Sequence, residues 1–226
     1  MKDLSFLKNN IISHLGIYDN ERIFENTLQS YARANKFGYT IELDIKMLSS
    51  GEIVCFHDDN LKRLLHVEQD LSSISYDELT YMAKYQIPTL VSVLDYIKGS
   101  VPLIINVDGK INKFMLEKKL IEHLSEYEGN FAIVTDNIKR LKWFYKNKPE
   151  FIVGYTINNS NIRKPFLFNK YDFLNVDVNL FKDKEIRKIR ESKLVIGHLI
   201  NIKEQVNLKR DVYDNLILDN VLEIAP

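Results

Sequence analysis

The segment from residue 102 to residue 135, PLIINVDGKINKFMLEKKLIEHLSEYEGNFAIVT, reads as one complete strand-helix-strand unit. Its apolar runs Pro102–Asp108 and Phe131–Thr135 are short and rich in Ile and Val, which is typical of buried strands. Between them, Asn112–Tyr127 repeats apolar residues at helical spacing. These apolar positions are Phe114, Met115, Leu120, Ile121 and Leu124. The order strand, helix, strand predicts two parallel strands joined by a crossover helix.

The same alternation continues in both directions from this unit. Further strand-like segments are Asn10–His14, Tyr39–Asp44, Ile53–His57, Phe151–Thr156, Tyr171–Val176, Leu194–Leu199 and Asn215–Leu218. Further helical patterns are Asn26–Phe37, Ile138–Lys146 and Lys184–Glu191. So many repeats favour a closed (β/α)8 TIM barrel of the α/β class over an open sheet. Nine strand candidates compete for eight positions, so one is misread or lies outside the barrel. The 226 residues suit one barrel domain over residues 1–226.

Charge and cysteine content restrict the classes of partner and compartment. Lys plus Arg and Asp plus Glu number 31 each. The formal net charge is therefore zero, which argues against binding to nucleic acid or an anionic membrane through overall positive charge. The cations Lys139, Arg140 and Lys142 predict the solvated face of a helix. Met1–Asn10 has no leader-like apolar run, and no stretch approaches the roughly 20 apolar residues of a membrane span. With Cys55 as the single cysteine, we expect a cytoplasmic protein; the oligomeric state stays open.

Polar residues with catalytic potential follow the first four strand candidates. His14 ends the first, Glu42 and Asp44 end the second, His57 ends the third and Asp108 ends the fourth. Because the carboxyl ends of parallel barrel strands share one face, we expect these side chains to meet at an active site. Two carboxylates at a spacing of two residues point the same way from a strand and require a neutralising cation. A third carboxylate would complete an all-oxygen site for Mg²⁺ or Ca²⁺.

The same residues suggest a reaction. Two histidines facing a divalent metal can divide proton transfer, one taking a proton from the nucleophile and the other giving one to the leaving alkoxide. The metal would polarise a phosphoryl oxygen. Taken singly, His14 is more often a hydrogen-bonded structural histidine, and Glu42 with Asp44 is more often a solvated strand end. Four successive strands that all end in such groups favour the catalytic interpretation.

Several motifs in the first half of the chain recur with a characteristic spacing. They are His14-Leu15-Gly16, Glu25-Asn26-Thr27, Glu42-Leu43-Asp44-Ile45, His57-Asp58 followed by Leu61 and Arg63, Ile87-Pro88-Thr89-Leu90, and Asn106-Val107-Asp108-Gly109-Lys110. Over residues 10–110 this pattern resembles the glycerophosphodiester phosphodiesterase family. The resemblance implies metal-dependent hydrolysis of a small-molecule or polymeric phosphodiester, and it implies a role for six residues. The general acid and base would be His14 and His57, and the metal ligands would be Glu42, Asp44 and Asp108. Lys110 would bind the phosphate of the substrate or hold the metal-site carboxylates. His198 is a further substrate-binding candidate, because it could face the site where the family has a tryptophan.

The chain also departs from the family pattern. Leu15 stands where the family has an arginine that is expected to hold the phosphate, and Asp108 replaces a longer glutamate. His198 lies in Gly197–Ile200, where the family has a tryptophan motif. We expect the loss of the arginine to weaken phosphate binding. The cations that could compensate are Lys110, Arg163 and Lys164.

These departures keep two alternatives to hydrolysis open. The first is a catalytically impaired barrel that acts as a binding or regulatory protein, as the loss of the arginine at position 15 suggests. The second is a related phospholyase that releases a cyclic phosphate. Retention of both histidines and all three carboxylates favours a phosphodiesterase.

Overall fold

The structure, a computed structural model, describes residues 2–109, 112–161, 170–180, 182, 184–203, 206, 212–219 and 221–224. Its strands are β1 (Ile12–His14), β2 (Thr40–Met47), β3 (Ile53–Cys55), β4 (Leu103–Val107), β5 (Phe131–Thr135), β6 (Val153–Ile157), β7 (Phe173–Asp177), β8 (Leu194–Ile200) and β9 (Asn215–Leu218). Its helices are α1 (Ser5–Asn9), α2 (Leu28–Lys36), α3 (Lys62–Leu65), α4 (Tyr76–Met82), α5 (Leu90–Ile97), α6 (Met115–Leu124), α7 (Ile138–Asn147), α8 (Lys184–Arg190) and α9 (Val221–Ile224).

Eight of these strands form a closed parallel barrel. From β1 the ring runs through β9, β8, β7, β6, β5 and β4 to β2. It closes because β1 pairs in parallel with two neighbours, Ile12 lying opposite Thr40 of β2 and Ile217 of β9. The predicted (β/α)8 barrel is confirmed.

The ninth strand, β3, lies outside the ring and runs antiparallel to β2. Ile45 pairs with Cys55, and Met47 pairs with Ile53. The prediction that the strand before His57 is one of the parallel barrel strands is therefore wrong. The physical reason is the length of β2, which extends past the barrel and turns back through Gly51 at φ 93°. β3 then returns to the barrel, and this return brings His57 to the same end as the parallel strand ends.

The interior of the barrel is filled by side chains from six of the eight barrel strands. This cluster contains Ile12, Ile104, Ala132, Val134, Phe173, Ile196 and Ile217. Phe6 and Leu7 of α1 join it near the amino ends of the strands, so the barrel is a packed core there. Burying each large apolar side chain of this kind contributes about 1.5–3 kcal/mol.

A separate apolar cluster supports the β3 hairpin. It contains Leu48, Val54, Phe56, Leu61, Leu65, Leu71, Ile74, Leu79 and Ile87. Phe56 directly precedes His57, is 2% exposed, and donates from its backbone N–H to the carbonyl of Asp44 at 3.1 Å. The position of His57 is therefore fixed by packing on one side and by a backbone bond to β2 on the other.

The cationic run on α7 is only partly solvated. Lys139 and Lys142 are exposed as predicted, but Arg140 is 1% exposed and pairs with the equally buried Glu117 of α6. Arg140 Nη1 also donates to the carbonyl of Val107, the last residue of β4, at 2.8 Å. The prediction of a solvated face is wrong at Arg140, because the helical period turns this residue toward the barrel and Glu117 neutralises it there.

The longest helices, α6 and α7, have ten residues each. A bilayer span needs about 20 apolar residues. Nothing helical in the described part of the chain has the length and apolar character to cross a membrane.

Candidate active site

The carboxyl ends of the barrel strands bring together several predicted site residues. His14, the last residue of β1, lies in register with Glu42 of β2. Two residues further along β2, Asp44 lies in register with Asn106 of β4. His14, Glu42 and Asp44 are 9%, 1% and 4% exposed. This end of the barrel, hereafter the mouth, therefore holds two buried carboxylates beside a buried histidine.

Asn106 links two of the predicted metal ligands. Its Nδ2 donates to Asp44 Oδ1 at 2.7 Å and to Asp108 Oδ2 at 3.0 Å. The Oδ1 of Asn26, from the loop before α2, accepts from the backbone N–H of Asp44 at 3.2 Å and from the Tyr31 hydroxyl at 2.8 Å. Asp44 and Asp108 thus flank one amide group, and the backbone of Asp44 is held by a second.

The carboxylates of the mouth oppose one another's ionisation. Burial raises the pKa of Glu42 well above its usual range, and the charges of Asp44 and Asp108 raise it further. Burial also raises the pKa of Asp108 to about 6, and the charges of Asp136 and Asp44 add to this effect. Within the described residues, Glu42 Oε2 and Asp108 Oδ1 have no hydrogen-bond partner. A bound proton or cation would relieve this repulsion.

The donor set suits a hard cation, since carboxylate oxygens are the ligands that Mg²⁺ and Ca²⁺ prefer. As placed, no group of three or more His, Cys, Asp or Glu side chains in the described part of the chain could hold a metal ion. The three-carboxylate metal site of Glu42, Asp44 and Asp108 therefore stays a prediction.

A chain of charged side chains holds His57. His57 Nδ1 lies 2.6 Å from Asp58 Oδ1, and Arg63 Nε donates to Asp58 Oδ2 at 2.7 Å. The two Nη groups of Arg63 bond the two carboxylate oxygens of Glu25, which is 5% exposed. Burial lowers the pKa of His57, but the charges of Asp44 and Asp58 outweigh it and the pKa is raised. His57 is thus held by Nδ1, which leaves Nε2 for proton transfer.

His14 has a more enclosed setting. Its Nε2 is 3.9 Å from Glu42 Oε2, and its Nδ1 is 3.5 Å from Asp219 Oδ1. The Tyr18 hydroxyl donates to the same Asp219 oxygen at 2.6 Å. His198 packs edge-on against His14, with ring centroids 5.4 Å apart and an interplanar angle of 75°.

His198 is neutral at physiological pH. Burial and the nearby charges of His14 and His57 lower its pKa to about 3. His198 thus lies beside His14. Its substrate-binding role stays a prediction. Lys110, Arg163 and Lys164 lie outside the described residues. Leu15 is 2% exposed and has φ 54°.

The mouth opens into a cleft of about 790 Å³, a size that accepts a small organic ligand. Its lining includes five carboxylates against three cations. The carboxylates are Asp44, Asp58, Asp59, Asp108 and Asp136, and the cations are Lys46, Lys62 and Arg63. An anionic substrate therefore needs a local positive charge to enter.

Asp219, Asp136 and Lys46 are among the polar residues of the mouth and the cleft that were not singled out from the sequence. Asp219 follows β9 and Asp136 follows β5, so the strand-end rule applied to the late strands would have found both. Lys46 lies within β2 two residues after Asp44, and by the same alternation it points to the same side. Position at a strand end is thus the signal for Asp219 and Asp136, and alternation along a strand is the signal for Lys46.

The chain is similar to known proteins in both sequence and structure. The profile of the Glycerophosphoryl diester phosphodiesterase family matches residues 14–209. Lysophospholipase D GDPD1 of Homo sapiens is 29% identical over 153 residues, which is 60% of this chain and 47% of the relative. Its Mus musculus counterpart is also 29% identical, over 150 residues. The chain spans about half the length of these curated relatives.

Two solved structures share the fold. The glycerophosphodiester phosphodiesterase of Thermotoga maritima is 21% identical, with a TM-score of 0.80 over 94% of this chain and 96% of the other. The Oleispira antarctica phosphodiesterase, in complex with the product sn-glycerol-3-phosphate, is 19% identical, with a TM-score of 0.83 over 96% of each chain. At this level of identity the two comparisons establish the architecture.

Proposed function

Because the chain belongs to the glycerophosphoryl diester phosphodiesterase family, we propose that it hydrolyses a glycerophosphodiester with His14 and His57 as general acid and base. One observation carries this proposal. The β3 hairpin returns His57 to the end of the barrel where His14 lies in register with Glu42. Two histidines, each beside an aspartate, thereby lie at one end of the barrel, where His57 and Asp44 line the cleft.

The proton roles follow from the partners of each histidine. His14 takes a proton from the water that attacks phosphorus, and Glu42 and Asp219 stabilise the positive charge that it gains. His57, whose protonated form is favoured by Asp58, gives its proton to the oxygen of the leaving alcohol as the phosphorus–oxygen bond breaks. The products are an alcohol and a phosphomonoester, and proton exchange with solvent resets the pair.

We propose that Glu42, Asp44 and Asp108 hold a divalent cation, Mg²⁺ or Ca²⁺. Support comes from the unpartnered oxygens Glu42 Oε2 and Asp108 Oδ1 and from the raised pKa values of both carboxyl groups. When bound, such a cation polarises a phosphoryl oxygen. Asn106 keeps Asp44 and Asp108 adjacent, so two of the three proposed ligands lie beside one another.

The substrate class is proposed more coarsely. It is a small-molecule or polymeric glycerophosphodiester, and a lysophospholipid is included because the curated relatives are named lysophospholipase D. We further propose that residues 1–226 act as one barrel domain in the cytoplasm.

Hydrolysis of sn-glycero-3-phosphocholine tests the proposal directly. The purified chain is assayed for release of sn-glycerol-3-phosphate with Mg²⁺ or Ca²⁺, before and after chelation, and lysophosphatidylcholine serves as a second substrate. We expect turnover that is lost on chelation and restored by the metal. His14→Ala or His57→Ala should lower kcat by about 10²–10⁴, whereas His123→Ala, on the outer helix α6, should not.

The same assay separates the two alternatives. A cyclic phosphate among the products, seen by ³¹P NMR, would favour a phospholyase. Binding of substrate without turnover under any metal would favour a catalytically impaired binding protein. Equal turnover by wild type and both histidine variants would exclude the two-histidine mechanism.

A further inference from the structure

The cations that line the cleft differ in what they can offer an anionic substrate. Arg63 is committed, because it bonds Glu25 through both Nη groups and Asp58 through Nε. Moving it toward a ligand would take an ion-pair partner away from two carboxylates, one of them buried. Lys62 stands at the rim, where it pairs with Glu68 and both side chains are about two-thirds or more exposed.

Lys46 combines an inner position with a weakly held partner. Its side chain is 13% exposed, and its Nζ lies 2.8 Å from Asp59 Oδ1. The side chain of Asp59 is itself 75% exposed, so water can solvate this carboxylate if it leaves the lysine. Such a partner contributes little to holding the pair.

The Lys46 ammonium also lies beside the end of β4. A Cβ placed on Gly109 would be 3.8 Å from Lys46 Nζ and 3.4 Å from Asp59 Oδ1. The glycine at φ 85° thus leaves the pair room above the strand end that carries Asp108. Asp59 follows His57 and Asp58 along the chain, and Lys46 follows Asp44 on β2. The Lys46–Asp59 pair therefore lies between the segment that carries His57 and the strand that carries Asp44.

We propose that Lys46 is a substrate-binding residue that exchanges Asp59 for the phosphate of the substrate. This inference rests on the proposed phosphodiesterase function and names the group that supplies positive charge to the anion. Asp59 acts as a displaceable counter-ion that neutralises Lys46 while the cleft holds no substrate. Leu15, buried and uncharged, offers the phosphate no such contact.

Paired substitutions test this role with opposite expected signs. Lys46→Met should raise KM for sn-glycero-3-phosphocholine by about tenfold or more, the usual worth of a charge-assisted contact, with a smaller change in kcat at saturating metal. Lys46→Arg should recover most of the loss. Lys139→Met, a matched change at an exposed lysine of the outer helix α7, should leave KM within about twofold.

Asp59→Asn should act in the other direction. With its counter-ion removed, Lys46 is free for the phosphate, and KM should fall by about two- to fivefold. The effect should disappear in the Lys46→Met background, because the two residues act through one contact. An unchanged KM in Lys46→Met, or a full Asp59→Asn effect that persists without Lys46, would overturn the proposal.

A binding measurement keeps this inference separate from the catalytic one. Calorimetry with sn-glycerol-3-phosphate, at a fixed metal concentration, reports affinity whether or not the chain turns over substrate. If wild type binds the ligand but shows no turnover, the weaker binding of Lys46→Met still supports the lysine, while hydrolysis is rejected. Equal affinity of wild type and Lys46→Met, with matching thermal midpoints, rejects the lysine alone.

Discussion

The two histidines of the mouth are held in contrasting ways. The His57 side chain is 49% exposed and is fixed by a line of ion pairs that runs through Asp58 and Arg63. The His14 side chain is 11% exposed and lies among Glu42, Asp219 and the ring of His198. An exposed ring needs strong directional bonds to keep one orientation, whereas an enclosed ring is oriented largely by packing. The contrast predicts that mutations around the two rings differ in size and kind.

Removal of either ring should have the largest effect and should show that both belong to one mechanism. His14→Ala and His57→Ala should each lower kcat by about 10²–10⁴. The effects of residues that act as a unit on kcat are far from additive. The kcat of the double variant should therefore be close to that of the less active single variant. Steady-state kinetics at saturating metal measures this. If the reduction in kcat of the double variant equals the product of the two single reductions, the histidines act in separate steps.

Removal of the aspartate behind each ring should give the next largest effect and should separate the two regions. Asp58→Asn should lower kcat by about 10–100-fold, the usual range for a group that orients a catalytic histidine. Asp219→Asn should cost about tenfold or less, because His14 Nδ1 is 3.5 Å from Asp219 while His57 Nδ1 is 2.6 Å from Asp58. ¹⁵N NMR of the histidine side chains reports whether the tautomer changes with the rate. Equal reductions of kcat in the two variants would contradict the proposed difference between the settings of His14 and His57.

Breaking the ion pairs behind His57 should affect stability as well as turnover. Arg63→Met removes the partner of the buried Glu25 and should cost about 1–3 kcal/mol in the free energy of unfolding at pH 7, with about a tenfold lower kcat. Burial raises the pKa of Glu25, but its bonds to Arg63 outweigh burial and the pKa is lowered. The stability that the Arg63–Glu25 pair contributes is present above the unfolded pKa of the Glu25 carboxyl group. It is lost as the pH falls through the folded pKa of that group.

The deficit of Arg63→Met should therefore be larger at pH 7 than at pH 4. Urea unfolding of both proteins at the two pH values measures it. Lys62→Met, a change to the neighbouring exposed cation, serves as the control and should alter stability by less than about 0.5 kcal/mol. A deficit that is independent of pH would show that Arg63 stabilises by packing rather than by pairing with Glu25.

Replacement of the ring that packs on His14 should change turnover least. His198→Phe keeps an aromatic ring and should leave kcat within about threefold, because enclosure rather than charge orients His14. The folded pKa of His198 is lowered to about 3, so the unfolded state binds the extra proton. Its neutral form is compatible with folding above the unfolded pKa of about 6.5, and stability is lost as pH falls from there toward 3.

The variant should accordingly resist acid better than wild type between pH 6 and pH 4. Thermal midpoints across this range measure the difference, and the two proteins should converge near pH 7 after correction for packing. A parallel dependence on pH in both proteins would place the proton on another group.

Local sequence was informative about the barrel and about the strand-end residues. The alternation of apolar runs with helical patterns predicted the parallel ring, and a spacing of two residues placed Glu42 and Asp44 on one side of β2, because strand side chains alternate. The prediction from this alternation was wrong for β3. A strand of an antiparallel hairpin and a strand of a parallel barrel can be equally apolar, so the sequence pattern did not distinguish them. It was also wrong for Arg140, whose burial depends on Glu117, 23 residues earlier.

By itself, then, the sequence determined the eight barrel strands, four of the helices and the strand ends at which His14, Glu42, Asp44 and Asp108 emerge, because these follow from periodicity within short windows. Only the tertiary structure decided what these side chains face. Tyr18 reaches Asp219 across 201 residues, and Arg63 reaches Glu25 across 38. Pairing of the first and last barrel strands brings Tyr18 to Asp219, and the β3 hairpin brings Arg63 to Glu25. Partners that lie so far apart along the sequence leave no periodic pattern in the chain.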